Sequence, residues 1–142
     1  MDRAGIEAVD VLIVGAGLSG IAAAVHLQRA RPGATVAMVE ARQALGGTWD
    51  LFRYPGVRSD SDMYTLAYSF RPWTGENAIA QGADILQYLR DTARESGIDQ
   101  KIRYGHRLLR AEWSSEDARW TVTLAREGQG HKVMHARFLF MC

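Results

Sequence analysis

Three glycines near the start of the chain have the spacing needed to bind a diphosphate. Gly15, Gly17 and Gly20 follow the apolar run at residues 11–14 in the order G-x-G-x-x-G. In such a bend, the first glycine lets the chain leave a strand sharply, the second leaves room for a pyrophosphate, and the third lets the next helix pack close to the sheet. The N-terminus of that helix offers unpaired N–H groups and about half a positive charge to the phosphates.

A carboxylate that could complete this site is Glu40, which ends a second apolar run at residues 35–39. A carboxylate here can accept both hydroxyls of an adenosine ribose and repels a 2′-phosphate, so FAD or NAD is favoured over NADP. The alternative is a glycine-rich turn without a ligand. We consider it the weaker interpretation, because strand, bend, helix and acidic residue follow in the expected order.

A second candidate stretch follows Glu40. Gly46 and Gly47 lie in the loop that leaves the second strand, at the sheet edge where doubly wound folds bind ligands. Residues 50–62 then mix aromatic, basic and acidic side chains around a Pro-Gly turn. Such a mixture is more typical of a site lining than of a solvated linker.

Helical periodicity resumes after this stretch, with apolar residues at Met63, Leu66, Ala67 and Phe70. One of four preceding polar residues should be the N-cap of this helix. These candidates are Ser59, Asp60, Ser61 and Asp62. Four aromatic residues are expected in the core or the pocket wall, rather than in contact with a cofactor. They are Tyr64, Tyr68, Phe70 and Trp73.

The remaining periodicity predicts the elements that position these residues. Helices are expected over residues 18–30 and 83–95, and strands over residues 11–14, 35–39, 101–104, 108–113, 119–125 and 133–141. The fold class is therefore α/β: a three-layer, Rossmann-like domain with a central parallel sheet. The strands between residues 108 and 125 should form a small antiparallel β-meander on one face of that sheet.

Composition narrows the function classes. The chain has 142 residues, 47% of them hydrophobic, and a net charge of +1, which predicts one globular domain and disfavours a nucleic-acid or membrane-surface partner. The sequence contains no segment as long as a transmembrane span. The only cysteine is Cys142, so no disulfide can form within the chain, which is compatible with a cytoplasmic protein. His131 and His135 lack a third ligand, and no metal site is expected.

Residues 46–64, which read GGTWDLFRYPGVRSDSDMY, are far more specific than the first glycine bend. Together with residues 70–75 and 138–140 they resemble the flavin-dependent Baeyer–Villiger monooxygenases, the class B flavoprotein monooxygenases. Within this family the chain is most similar to the ethionamide-activating group. The resemblance covers essentially the whole chain but only the N-terminal part of the family's length.

The resemblance implies an FAD-binding domain in an enzyme that also uses NADPH and O₂. In such enzymes NADPH reduces the flavin, O₂ adds at flavin C4a, and the resulting peroxyflavin converts a ketone to an ester or oxidises a sulfur. Asp60 is the implied catalytic residue, because it would orient an arginine that stabilises the developing negative charge.

The resemblance also implies a set of FAD contacts. Those at the pyrophosphate would be Gly15, Gly17, Ser19 and Gly20, with Glu40 at the adenosine ribose. Those along the ribityl chain and flavin would be Thr48, Trp49, Asp50 and Leu51. Those where flavin and nicotinamide meet would be Arg58, Ser59 and Asp60. Leu108 would contact the adenine through its backbone.

Several features of the family are absent from this sequence, including the active-site arginine and the second glycine-rich nucleotide motif. The chain also ends on the apolar run at residues 138–142. We therefore expect residues 1–142 to be an incomplete N-terminal FAD-binding segment without the NADPH-binding domain, and to have little or no monooxygenase activity alone.

Two other functions remain open on the sequence alone. The first is an NAD-dependent dehydrogenase domain, which Glu40 permits but which gives the Gly-Gly-Thr-Trp loop no role. The second is a non-catalytic or truncated dinucleotide-binding module. A flavin absorption band in the purified protein would favour a flavoprotein over the dehydrogenase domain. A stop codon directly after Cys142 would favour the non-catalytic module, and an open reading frame with a second G-x-G-x-x-G motif would favour the enzyme.

Overall fold

The computed structural model describes residues 5–126 and 128–142, which form six strands, four α-helices and one 3₁₀ turn. The strands are β1 Glu7–Val14, β2 Val36–Val39, β3 Ile102–Arg103, β4 His106–Ser114, β5 Arg119–Arg126 and β6 Gly130–Met141. The helices are α1 Leu18–Ala30, α2 Thr48–Leu51, α3 Met63–Leu66 and α4 Gly82–Glu95, and the 3₁₀ turn is Asp99–Lys101.

The strands form one mixed sheet in the order β3-β2-β1-β6-β5-β4. Strands β3, β2, β1 and β6 are parallel to one another, whereas β5 pairs antiparallel with both β6 and β4. Residues 134–136 of β6 pair with β1 on one side and with β5 on the other. Strand β6 therefore belongs to both the parallel sheet and the antiparallel meander.

Alternate residues of β1 enter two different cores, as the period of a strand requires. Val11 and Ile13 pack with residues of α1 and α4. Leu12 packs on the other face, with Val122 and Leu124 of β5 among its cluster. The helices, the parallel sheet and the meander are thus three layers, which confirms the predicted α/β architecture and the position of the meander on one face.

Most predicted elements are confirmed, with small changes in their bounds. Helix α1 spans the predicted residues, and α4 begins one residue earlier than expected. Strand β6 begins three residues before the predicted start at Val133. No helix among the described residues combines the length and apolarity needed to cross a bilayer.

The prediction of a helix that reaches Phe70 is wrong. Helix α3 ends at Leu66, and Ala67 is already extended. The backbone N–H of Tyr68 donates instead to the Tyr88 hydroxyl at 2.9 Å, and the Tyr68 hydroxyl donates to the carbonyl oxygen of Leu18 at 2.7 Å. These tertiary hydrogen bonds hold the chain against α1 and α4 in place of a further helical turn.

Candidate dinucleotide-binding site

The glycine bend lies where the carboxyl ends of β1, β2 and β6 meet. The Gly15 N–H donates to the carbonyl oxygen of Val39 at 2.8 Å, and the Cys142 N–H donates to that of Val14 at 2.9 Å. Helix α1 begins directly after the bend, with Gly17 as its N-cap. The sheet therefore holds the bend in place, and the first turn of α1 faces the edge of the sheet where ligands bind in this fold class.

Gly15 and Gly20 are required by the packing of the chain itself. Gly15 has φ +107°, and a Cβ there would lie 2.6 Å from the carbonyl oxygen of Cys142. A Cβ on Gly20 would lie 2.0 Å from the carbonyl oxygen of Gly15. These two glycines therefore have the predicted roles of a sharp exit from the strand and a close approach of the helix.

Gly17 is different, because the chain would accept a side chain there. Its φ is −84°, which any residue adopts, and an added Cβ would lie 3.5 Å from the nearest atom, the Cα of Gly47. This distance is an ordinary van der Waals contact. The packing of the described residues therefore requires glycine at positions 15 and 20 but does not require it at position 17.

Glu40 points its carboxylate at this bend. The side chain is buried; Oε2 accepts a hydrogen bond from the Ala16 N–H at 2.9 Å, and Oε1 accepts one from the Arg42 N–H at 2.9 Å. A carboxylate offers about four acceptor positions. Each oxygen can therefore still accept a hydrogen bond from a ribose hydroxyl.

The second glycine pair forms the opposite wall of the site. The Gly46 N–H donates to the Ala16 carbonyl oxygen at 2.9 Å, which ties this loop to the first bend. Together they enclose a cleft of about 320 Å³. Its lining residues are Gly15, Gly17, Leu18, Ser19, Glu40, Gly46, Gly47, Thr48, Trp49 and Cys142.

Burial affects the ionisation of two groups near this cleft. It raises the pKa of the Cys142 thiol, and a hydrogen bond with Ser19 partly opposes that shift. Burial also raises the pKa of the Tyr104 hydroxyl, to which the nearby charges of Asp99 and Glu40 add. Both groups are therefore neutral at pH 7, and Glu40 is the acidic residue of the cleft lining.

The structure brings only some of the implied FAD contacts together. Gly15, Gly17, Ser19, Glu40, Thr48 and Trp49 line the cleft. Gly20 lies in the α1 turn just behind it. The cleft lining does not include the other implied residues, which are Asp50, Leu51, Arg58, Ser59, Asp60 and Leu108.

Two of these residues have side chains that already form hydrogen bonds or ion pairs within the protein. The hydroxyl of Ser59 is buried and accepts a hydrogen bond from the Ala80 N–H at 3.1 Å. Asp50 is also buried, and its carboxylate pairs with Arg42 and Arg53. By contrast, Arg58 and Asp60 are exposed.

Leu108 is half-buried beside the meander core. Its strand runs near Glu40, because the His106 N–H donates to the Glu40 carbonyl oxygen at 2.9 Å. The N-cap prediction is confirmed at Asp62, whose carboxylate accepts from the Thr65 N–H at 2.9 Å.

The arginines around Asp50 were not predicted from the sequence. The i,i+3 spacing of Asp50 and Arg53 was an available signal, whereas nothing in the sequence indicated that Arg42 and Arg90 approach the same carboxylate. Within residues 5–126 and 128–142, no group of three His, Cys, Asp or Glu side chains could hold a metal ion.

Comparisons with known proteins agree with this geometry. A family model described as an NAD(P)-binding Rossmann-like domain matches residues 13–78. The chain is 53% identical over 136 residues to the FAD-containing monooxygenase EthA of Mycobacterium tuberculosis strain H37Rv, a match that covers 96% of this chain and 28% of the relative.

Two solved structures share the fold at similar coverage. Oxidised steroid monooxygenase bound to NADP matches with a TM-score of 0.85 and 34% identity, over 95% of this chain and 26% of that one. A structure of OTEMO in complex with FAD and NADP matches with a TM-score of 0.83 and 30% identity, over 94% and 25% respectively.

The fold and the cleft therefore define a Rossmann-like dinucleotide-binding segment. More particularly, the chain is homologous to the N-terminal segment of FAD-containing monooxygenases, which confirms the resemblance found in the sequence. The chain spans little more than a quarter of the length of the curated relative it matches.

Proposed function

We propose that this chain is the FAD-binding segment of an NADPH- and O₂-dependent flavoprotein monooxygenase of the Baeyer–Villiger type. The single observation that carries the proposal is the cradle at Gly17. The chain would tolerate an added Cβ there, yet the position is a glycine, and it lines the same cleft as the buried carboxylate of Glu40. An FAD diphosphate needs such a space, and its ribose needs such a carboxylate.

The residues present fit this cofactor. Gly15, Gly17, Ser19 and Gly20 would surround the pyrophosphate through backbone N–H groups at the start of α1. Glu40 would accept the ribose hydroxyls on the lone pairs that Ala16 and Arg42 leave free.

Thr48, Trp49 and Leu51 are proposed along the ribityl chain and flavin, and Leu108 near the adenine through its backbone. FAD, when bound, supplies the redox chemistry that activates O₂.

The exposed segment Arg58 to Asp60 is proposed at the junction of flavin and nicotinamide. Ser59 fixes this segment through its paired hydrogen bonds with Ala80, which leaves the neighbouring side chains free to face a partner group. Asp60 would accept hydrogen bonds from an arginine supplied by another part of the enzyme. An arginine held in this way stabilises negative charge that develops during oxygen transfer.

The domain assignment is also a proposal: residues 1–142 form only part of an FAD-binding domain, and the NADPH-binding domain lies elsewhere in the parent protein. Two observations support it. The relatives are more than three times as long as this chain. Phe138 is also 67% exposed on the part of β6 that pairs only with β1, which offers an apolar surface to further chain.

We propose a small ketone or thio compound as the substrate of the parent enzyme, with O₂ as co-substrate. The names of the relative and of the steroid monooxygenase neighbour support monooxygenation of a small organic molecule. We also propose a cytoplasmic location, which the single cysteine supports.

A titration tests the cofactor assignment. The purified chain is titrated separately with FAD, NAD and NADP, and binding is followed by the quenching of tryptophan fluorescence, because Trp49 lines the cleft. We expect FAD to bind most tightly. A protein that binds NAD but not FAD, or that binds none of the three, would overturn the proposal.

A further inference from the structure

The environment of the Asp50 carboxylate differs from that expected of a side chain that contacts a cofactor directly. Its side chain is only 3% exposed, yet it pairs with two guanidinium groups: Arg42 Nη2 lies 2.7 Å from Oδ2, and Arg53 Nη2 lies 2.6 Å from Oδ1. Arg90 of α4 approaches Oδ1 at 3.8 Å. The Asp50 carboxylate thus lies within 4 Å of three guanidinium groups, those of Arg42, Arg53 and Arg90.

The arginine that matters for the site is Arg42. While its Nη2 is held by Asp50, its Nη1 donates to the carbonyl oxygen of Gly47 at 3.3 Å. The backbone N–H groups of Asp50 and Leu51 donate to the same carbonyl oxygen, at 3.2 Å and 2.9 Å. Asp50 therefore acts on Gly47 twice, once through its own backbone and once through the guanidinium that its side chain orients.

Gly47 approaches Gly17 from the opposite wall of the cleft. It has φ +52°, and a Cβ added to it would lie 3.0 Å from the Cα of Gly17. Gly47 therefore packs against Gly17 at close range, and both residues line the cleft. A rotation of the Gly47 peptide would change the space available to a diphosphate.

We propose that Asp50 is a positioning residue, whose carboxylate orients Arg42 toward the Gly47 carbonyl and thereby fixes the separation of Gly47 and Gly17. In this account the Asp50 side chain does not touch the dinucleotide. The side chain is buried and paired with Arg42 and Arg53, and Asp50 is not among the residues that line the cleft. The inference rests on the proposed function, because it assigns the cleft between the two glycines to an FAD diphosphate.

A comparison of two arginines tests the inference in the full chain. Arg42 and Arg53 bind the same carboxylate at nearly the same distance, but only Arg42 also bonds the Gly47 carbonyl. We expect Arg42→Gln and Asp50→Asn each to weaken FAD binding about tenfold, which is the scale of one lost hydrogen bond to a charged group. Arg53→Gln, the matched control, should change the affinity less than twofold.

The double variant Asp50→Asn/Arg42→Gln should bind FAD no more weakly than either single variant, since both act through one contact. Thermal unfolding, followed by circular dichroism, shows whether weaker FAD binding reflects lost stability. Arg53→Gln removes a similar ion pair, so it should lose similar stability without the loss of FAD affinity. If Asp50→Asn fails to fold, the FAD affinities of Arg42→Gln and Arg53→Gln still test the inference.

Three outcomes overturn the inference: Asp50→Asn binds FAD like the wild type, the Arg42 and Arg53 variants weaken binding equally, or the effects of Asp50→Asn and Arg42→Gln add. Failure of the proposed function looks different, because the wild-type chain itself would then not bind FAD. A wild type that binds FAD while Asp50→Asn binds equally well contradicts only the role of Asp50.

Discussion

Oε2 of Glu40 accepts a hydrogen bond from the backbone N–H of Ala16 at 2.9 Å, inside the glycine bend. The two residues are 24 positions apart, at the ends of neighbouring parallel strands. The same carboxylate that is proposed to bind a ribose thus also helps to shape the bend that is proposed to bind the diphosphate. Stability and ligand affinity should therefore be linked at this residue.

Substitution Glu40→Gln tests this link. The Gln amide has one acceptor oxygen, so one of the N–H groups of Ala16 and Arg42 would face an NH₂ group instead. We expect the free energy of unfolding to fall by about 1–3 kcal/mol, the range for an unsatisfied buried group, and FAD affinity to fall as well. Chemical denaturation and fluorescence titration measure the two effects. Glu112→Gln, at an exposed ion pair with Arg110, is the control and should leave both unchanged.

Tyr68 connects the loop after α3 to the first turn of α1. Burial raises the pKa of its hydroxyl well above the usual range, and that hydroxyl donates to the Leu18 carbonyl oxygen at 2.7 Å. Tyr68→Phe should lower the free energy of unfolding by about 1 kcal/mol, measured by urea denaturation. Tyr64→Phe is the matched control, because Tyr64 is 67% exposed. Equal stabilities of the two variants would show that the Tyr68 hydroxyl contributes nothing.

An ion-pair cluster at the start of β1 predicts how stability depends on pH. A hydrogen bond with Arg103, and a second with Lys132, lower the pKa of the Glu7 carboxyl from 4.5 to about 2. Because the folded pKa is the lower one, the stabilisation is complete above pH 4.5 and is lost as the pH falls toward 2.

The variant Glu7→Gln should therefore be less stable than the wild type at pH 7, by about 1 kcal/mol after allowing for partial exposure. The difference should shrink as the pH falls from 4.5 to about 2, and urea denaturation at several pH values measures it. A difference that stays constant over this range would mean that Glu7 has no lowered pKa.

Local patterns were enough to predict the elements around the cleft. Helix α1 is bounded by a glycine bend and a Pro-Gly break, and the sequence placed both ends correctly. Glu40 and the Gly46-Gly47 loop followed from chain order in a parallel sheet, because carboxyl ends of parallel strands meet at one edge.

Features set by distant contacts could not be predicted in this way. Apolar residues continue at helical spacing to Phe70. The helix ends earlier, because the Tyr68 N–H donates to the hydroxyl of Tyr88, 20 positions away, and not to a helical carbonyl oxygen. Likewise, Arg90 reaches Asp50 only because α4 packs near α2. A pattern of residue types gives no information on such pairings until the fold is known.

The affinity of Gly17→Ala for FAD tests most directly whether the cleft that Gly17 lines receives the diphosphate of FAD. This variant should fold, at a cost of about 1 kcal/mol or less for alanine at an N-cap, because its Cβ would lie 3.5 Å from the nearest atom. Gly20→Ala is the contrasting variant and should be strongly destabilised, since its Cβ would lie 2.0 Å from the Gly15 carbonyl oxygen.

We predict that folded Gly17→Ala binds FAD at least about tenfold more weakly than the wild type, since overpacking costs about 1–3 kcal/mol. An unchanged affinity would contradict the account.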